Sequence, residues 1–232
     1  MNLKMCKLFS ILTLISILAS GCGGGNGTST NSGGNGSPTD INLDFKLYPD
    51  NYFTNYDVSA SLTGSDNRGI TLTGSISEKT LPTTTFLGES SIPIQTKMDF
   101  TASNGGFASA TLDIHYGMNA NDRRFLGIDG DVVTVSATTN TIPQTARIGD
   151  AGSVGVYIRN NNFETTLSWR LEDGLNGNAK LLFLDTTNNQ SGELDNTFTT
   201  TYLIKPDGTR LSVQLITFNV NINTEVTLDG DY

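Results

Sequence analysis

From Ile41 onward the chain alternates apolar and polar residues with period two. Ile41, Leu43, Phe45 and Leu47 alternate with polar neighbours, and Tyr56, Val58, Ala60 and Leu62 repeat the pattern. Ile70, Leu72 and Ile76 follow, then Ile92, Ile94, Met98 and Phe100, then Ala108, Ala110, Leu112, Ile114 and Tyr116. Phe163, Leu167, Trp169 and Leu171 alternate against Glu164, Thr166, Ser168, Arg170 and Glu172, and Phe198, Thr200, Tyr202 and Ile204 do the same further on. Such alternation predicts strands with one face on a core and the other in water, paired antiparallel. No stretch after residue 40 combines helical periodicity with helix caps.

The connectors carry turn chemistry. Ser65-Asp66-Asn67-Arg68-Gly69, Ser103-Asn104-Gly105-Gly106, Glu172 through Asn178, and Pro206-Asp207-Gly208-Thr209 all separate alternating runs. Pro206 can set the first turn angle while Gly208 accepts a positive one. Short turns join sequential neighbours, so the prediction is an all-β antiparallel meander of about a dozen strands, forming a sandwich or an open half-barrel. The repeated Leu-Thr-Gly-Ser at residues 62–65 and 72–75 fits two strands of one hairpin.

Two places break the pattern. Leu211, Val213 and Leu215 hold one parity, and Ile216, Phe218, Val220 and Ile222 hold the other, which predicts a bulge or tight turn near Leu215. Lys180-Leu181-Leu182-Phe183-Leu184 is apolar on both faces, which predicts a central strand covered on both sides or one lining a cavity. Trp169, Leu182, Phe183 and Leu184 are accordingly the candidate lining of a ligand cavity. The span 143–152, with Pro143, Gly149 and Gly152, is a candidate subdivision of an otherwise single domain over residues 40–232.

The amino-terminal segment reads differently. Met1 to Lys7 carries two lysines and no acid, and the run from Leu8 to Ala19 is apolar. Twelve residues are too few to cross a bilayer core but suit the core of a signal peptide. The run ends at Leu18-Ala19-Ser20-Gly21-Cys22. Small residues before a cysteine at this place resemble the signal of a bacterial lipoprotein. Ala19 stands where that family usually has Leu, a position at which the family tolerates small residues. The resemblance covers residues 1–22 only. It implies that 1–21 is a signal peptide and that Cys22 becomes the first mature residue, carrying palmitate-type acyl chains. It also implies a lipid-anchored protein of the cell envelope. With Gly23 rather than Asp after the cysteine, it implies the outer membrane more than the inner one in a Gram-negative cell. Residues 23–39 (GGGNGTSTNSGGNGSPT) contain no apolar side chain, so 22–39 is read as a lipidated cysteine followed by a flexible tether. An r.m.s. reach of about 23 Å follows from the length of this coil.

Charge and cysteine content narrow the chemistry. The net charge is −9. Removing Lys4 and Lys7 with the signal leaves 12 Lys and Arg against 23 Asp and Glu. An acidic chain repels phosphate backbones, so nucleic acid is not an expected partner. Cys6 is lost with the signal and Cys22 is the acylation site, which leaves the domain no disulfide, no thiol nucleophile and no thiolate metal site.

His115 is the one histidine. If Leu112, Ile114 and Tyr116 face inward, His115 and Asp113 face outward together, and a solvated histidine is the expectation. No nucleophile and no G-x-S-x-G turn accompany the pair. Asp173, Asn176 and Asn178, or Asp129 and Asp131, offer oxygen ligands, but neither group has the spacing of a calcium loop. No catalytic residue, metal or cofactor is therefore assigned, and the chain is not read as an enzyme. The expected role is a non-enzymatic interaction or structural domain, held to the membrane by its lipid and meeting an envelope protein. The alternative is a carrier or sensor of a lipid or other apolar ligand. A hydrolase of envelope polymers ranks below both.

Overall fold

A computed structural model describes residues 36–120, 123–130, 134–159 and 162–232. The proposed signal, Cys22 and most of the tether lie outside the described residues. The strands in chain order are β1 (Phe45–Lys46), β2 (Asp57–Asp66), β3 (Thr71–Thr80), β4 (Thr84–Phe86), β5 (Glu89–Ala102), β6 (Phe107–Gly117), β7 (Phe125–Gly130) and β8 (Thr134–Thr139). They continue with β9 (Thr145–Ala146), β10 (Ala151–Arg159), β11 (Glu164–Leu175), β12 (Asn178–Asn188), β13 (Leu194–Ile204), β14 (Arg210–Asn219) and β15 (Thr224–Asp231).

The all-β antiparallel reading is borne out, and the curling of the sheet goes to completion. Twelve strands pair with their neighbours in sequence, and two contacts join the ends of the run. β15 pairs with β2, matching Leu228 to Gly64, and β3 pairs with β5, matching Ile76 to Met98. Closure leaves no free edge in the ring of twelve strands. The strands on either side of the 143–152 span, β8 and β10, are hydrogen-bonded neighbours in this one sheet. Leu62 faces Gly74 and Gly64 faces Leu72 across the β2–β3 hairpin, so the repeated tetrapeptide does lie in paired strands.

The wall is apolar inside and polar outside. Ala60, Leu62, Leu72 and Ile76 point into the core, whereas Ser59, Ser61, Thr63, Thr71 and Thr73 are exposed. On β11, Leu171 and Trp169 are buried and Arg170 and Glu172 are exposed. A barrel that faces lipid has the opposite arrangement, an apolar outer band with few charges.

One end of the barrel is plugged by the segment preceding β2. Phe45 and Leu47 are fully buried, while Ile41 is 65% exposed. The alternating run 41–47 is thus mostly not a barrel strand. Only β1 forms, paired with β9 outside the barrel sheet, and the rest crosses the barrel end. Lys46 N donates to Pro206 O and Leu47 N to Gln144 O, which ties the plug to two hairpins. At Gly208 the backbone φ is +83°, and a Cβ there would stand 2.6 Å from Tyr48 O. Glycine therefore serves both the β13–β14 turn and the close approach of the plug.

The break expected at Leu215 is absent. β14 keeps register with β13 and β15 from Ser212 through Asn219. The irregularity lies upstream, where Ile204 pairs with Arg210 and Leu203 with Ser212, so Leu211 is the extra residue. Beyond it, Thr217 and Asn219 take the buried face, and Ile216 and Phe218 lie on the outer one.

Candidate lumenal binding site

The barrel is not filled throughout. Leu112, Ile114, Ile128, Leu167, Phe183 and Phe198 all belong to the inner face, yet each is only partly buried because it borders an internal cavity of about 190 Å³. A cavity of this size has room for a benzene-sized molecule. The cavity is bounded by strands from most of the ring, so its shape depends on closure of the sheet.

Toward the plug, the boundary is aromatic and ionic. Tyr48 and Tyr52 lie 4.8 Å apart, and Tyr116 meets Tyr48 edge-on at 6.1 Å. Burial pushes the Tyr48 and Tyr52 phenols up to about 12, so both remain protonated at neutral pH. Arg210 is paired with Glu78, and both side chains are almost fully enclosed. The Arg210 guanidinium sits 3.7 Å over the Tyr202 ring and 4.8 Å from the Tyr52 ring centre. Tyr202 OH donates to Glu78 at 3.3 Å. The carboxylate and the guanidinium are thus each occupied by protein groups.

Deeper in the lumen the polar groups are arranged differently. Arg159, from the end of β10, donates to Thr187 Oγ1 at 3.0 Å and is 6% exposed. Asp185, in the middle of β12, borders the cavity, with Leu167 and Phe198 as its cross-strand partners. No hydrogen bond or ion pair reaches its carboxyl group among the described residues. Burial pushes this group up to about 7, against the opposing pull of Arg159. Asp185 is half-buried and borders the cavity.

Of the four residues proposed from sequence to line a cavity, Phe183 does so. Trp169 is buried and packs against Gly152, where a Cβ would stand 2.7 Å from the indole nitrogen, and it borders a separate surface groove instead. Leu182 and Leu184 lie on the other face of β12. They point outward into a surface groove with Ala151, Ser153 and Arg170, because side chains of odd number on β12 take the lumen face. Leu182 is 8% exposed there and Leu184 37%.

The expectation of a solvated histidine is also corrected. His115 does lie on the outer face, but β4 folds over it. Phe86 stacks on the imidazole at 4.1 Å, and Ser91 Oγ lies 3.0 Å from Nδ1. Burial holds the ring below its ordinary value, against the pull of Asp113 and Asp129. Asp113 instead accepts from Gln95 at 3.1 Å. Asp173 and Asn176 are occupied as well: they accept from the backbone of Thr39 and Ser37, each at 3.2 Å, which pins the last tether residues to the β11–β12 hairpin. Asp131 lies outside the described residues. Among the described residues no cluster of three or more His, Cys, Asp or Glu could hold a metal ion.

The sequence reading missed Asp185, Arg159 and the Glu78–Arg210 pair. For Asp185 a signal existed. It shares the parity of Leu181 and Phe183, which marks it as an acid on the core face of a strand. Comparisons with known protein families, with curated proteins and with solved structures return no match.

Proposed function

We propose that this chain is a lipid-anchored protein of the bacterial envelope whose barrel holds a small, largely apolar molecule, as a carrier or sensor. The observation that carries the reading is the unfilled lumen. Interiors normally pack to crystal-like density, and a cavity walled by Leu112, Ile128, Leu167 and Phe198 forfeits the dispersion contacts that a bound molecule would restore. The polar outer wall suits a domain standing in water, and the resemblance of residues 1–22 supplies the anchor. A domain tethered through Cys22 keeps its ligand site near the membrane that would deliver or receive an apolar cargo. Gly23 favours the outer membrane as the place of that anchor.

Native mass spectrometry of the full chain, extracted gently from membranes, tests the ligand. A one-to-one mass excess that leaves on denaturation is expected. A bare chain that also fails to take up added ethylbenzene would contradict the reading. The anchor has its own test: the wild-type chain incorporates labelled palmitate and Cys22→Ala does not, whereas equal labelling of the two would remove Cys22 as the site.

A second reading rests on the outer groove at Leu182 and Leu184. An apolar recess on the outer wall favours contact with an envelope protein.

A further inference from the structure

Resting on the ligand-binding reading above, we infer that the lumen selects a molecule whose head donates a hydrogen bond, with Asp185 as the accepting group. The ligand class is a benzene-sized apolar body with one donor head, of which a protonated amine is the strongest form and a hydroxyl the neutral one.

The argument begins with the placement of Asp185. Leu181, Phe183 and Asp185 point the same way from β12, so the carboxyl group is delivered to the lumen by the same pleat that delivers the apolar wall. Phe198 stands directly across from it on β13 and Leu167 across on β11. An acceptor half-buried in a cavity wall, with no protein donor in reach, takes its hydrogen bonds from whatever enters the cavity.

The neighbouring groups do not answer this demand. β11 and β13 offer no charge toward it, since Thr165, Leu167, Phe198, Thr200 and Tyr202 are the side chains by which they line the cavity, and the Tyr202 hydroxyl donates to Glu78. β10 brings Tyr157 and Arg159. The Tyr157 hydroxyl donates to Val154 O at 3.2 Å, and Arg159 donates to Thr187. Glu78 and Arg210, which border the cavity from the plug side, are paired with each other.

The placement of the charges favours a cation over an anion at this wall. Glu78 and Arg210 answer each other, and Arg159 donates to Thr187, which leaves the Asp185 carboxyl as the acidic group that no donor reaches. An anionic head would meet it without a proton to share. An ammonium would donate to it, and the rings of Phe183 and Phe198 lining the same cavity present faces that attract cations.

Isothermal titration of the full chain in lipid nanodiscs at pH 8 tests this with four compounds of one shape. They are 2-phenylethylamine, 2-phenylethanol, ethylbenzene and phenylacetate, each also titrated into empty nanodiscs. The expected order of affinity is amine, alcohol, hydrocarbon, carboxylate. Asp185→Asn should weaken the amine about tenfold or more and leave ethylbenzene within about twofold, as expected for loss of a charged hydrogen bond. Equal affinity of all four for the wild-type chain overturns the inference and leaves the apolar-ligand reading intact. Tightest binding by phenylacetate overturns it in favour of Arg159 as the reading group. Binding by none of the four overturns both. The order among the wild-type affinities decides the matter even if the variant fails to fold.

Discussion

Arg210 and Arg159 are both buried inside the barrel, each 6% exposed, and each has a carboxylate in its field. At the plugged end, Glu78 closes on Arg210, tyrosine rings cover the guanidinium, and the Tyr202 hydroxyl donates to the carboxylate. In the lumen, Asp185 is within the field of Arg159 but accepts no hydrogen bond from it, and open space lies in front of the carboxyl group. The first arrangement joins the two charges to each other and serves to seat the plug, although Arg210 Nε finds no partner. The second is a half-buried carboxyl group that no protein donor reaches and that borders open space. The difference teaches which buried charge to read as architecture and which as recognition. Burial alone does not separate them; the state of the hydrogen bonds does.

Breaking the closed pair should have the largest effect. Glu78→Gln keeps the side-chain volume but strands the Arg210 charge, and loss of one partner of a buried ion pair costs about 3 to 5 kcal/mol. Chemical denaturation should show that loss with the wild-type m-value. A loss below about 1 kcal/mol would mean the pair is hydrated and the contrast with Asp185 is false.

The open carboxyl group should behave in the opposite sense. The native chain holds the Asp185 proton up to about pH 7, whereas the unfolded chain releases it near pH 4. The native state therefore binds more protons in that window, and stability falls as pH rises from about 4 to about 7. Asp185→Asn removes this penalty. The variant should be more stable than wild type at pH 8, by roughly 2 to 4 kcal/mol, and little different at pH 4. A destabilised variant at pH 8 would mean that the ionised carboxylate is satisfied after all.

The smallest effect sharpens the boundary between lumen and outer wall. Leu184→Ser, at an outward position, should change stability by less than about 0.5 kcal/mol and leave uptake of ethylbenzene unchanged. A change in uptake would move the binding site to the outer groove.

The strands were legible in the sequence because one-sided burial writes period two into the chain. Ser59, Ser61 and Thr63 against Ala60 and Leu62 show the rule at its clearest. Closure was not legible, since the β15–β2 pairing joins residues some 160 apart in sequence and leaves no local trace. The plug misled for a related reason. Phe45 and Leu47 alternate like a strand but are buried by crossing the barrel end, and Ile41 is left exposed. At β14 the inner face runs on through Thr217 and Asn219, while the apolar Ile216 and Phe218 lie on the outer face and so looked like core positions.

The site was half legible. The doubly apolar run at Lys180–Leu184 identified the right strand, but an apolar residue on each face cannot say which face is the lumen. Only the partners of β12 decide that Phe183 lines the cavity and Leu184 does not. The acid two residues after Phe183 was in phase to be found. That it lacks a donor depends on where Arg159 and Tyr157 direct their own hydrogen bonds, which no spacing records.

The most direct test of the lumen as a binding site is a set of intermolecular nuclear Overhauser effects between ethylbenzene and the methyl groups of the full chain. Contacts to Ile128 and Leu167, with none to Leu182 or Leu184, are the predicted result. Contacts confined to Leu182 and Leu184, or none at all with ligand in excess, would contradict the account.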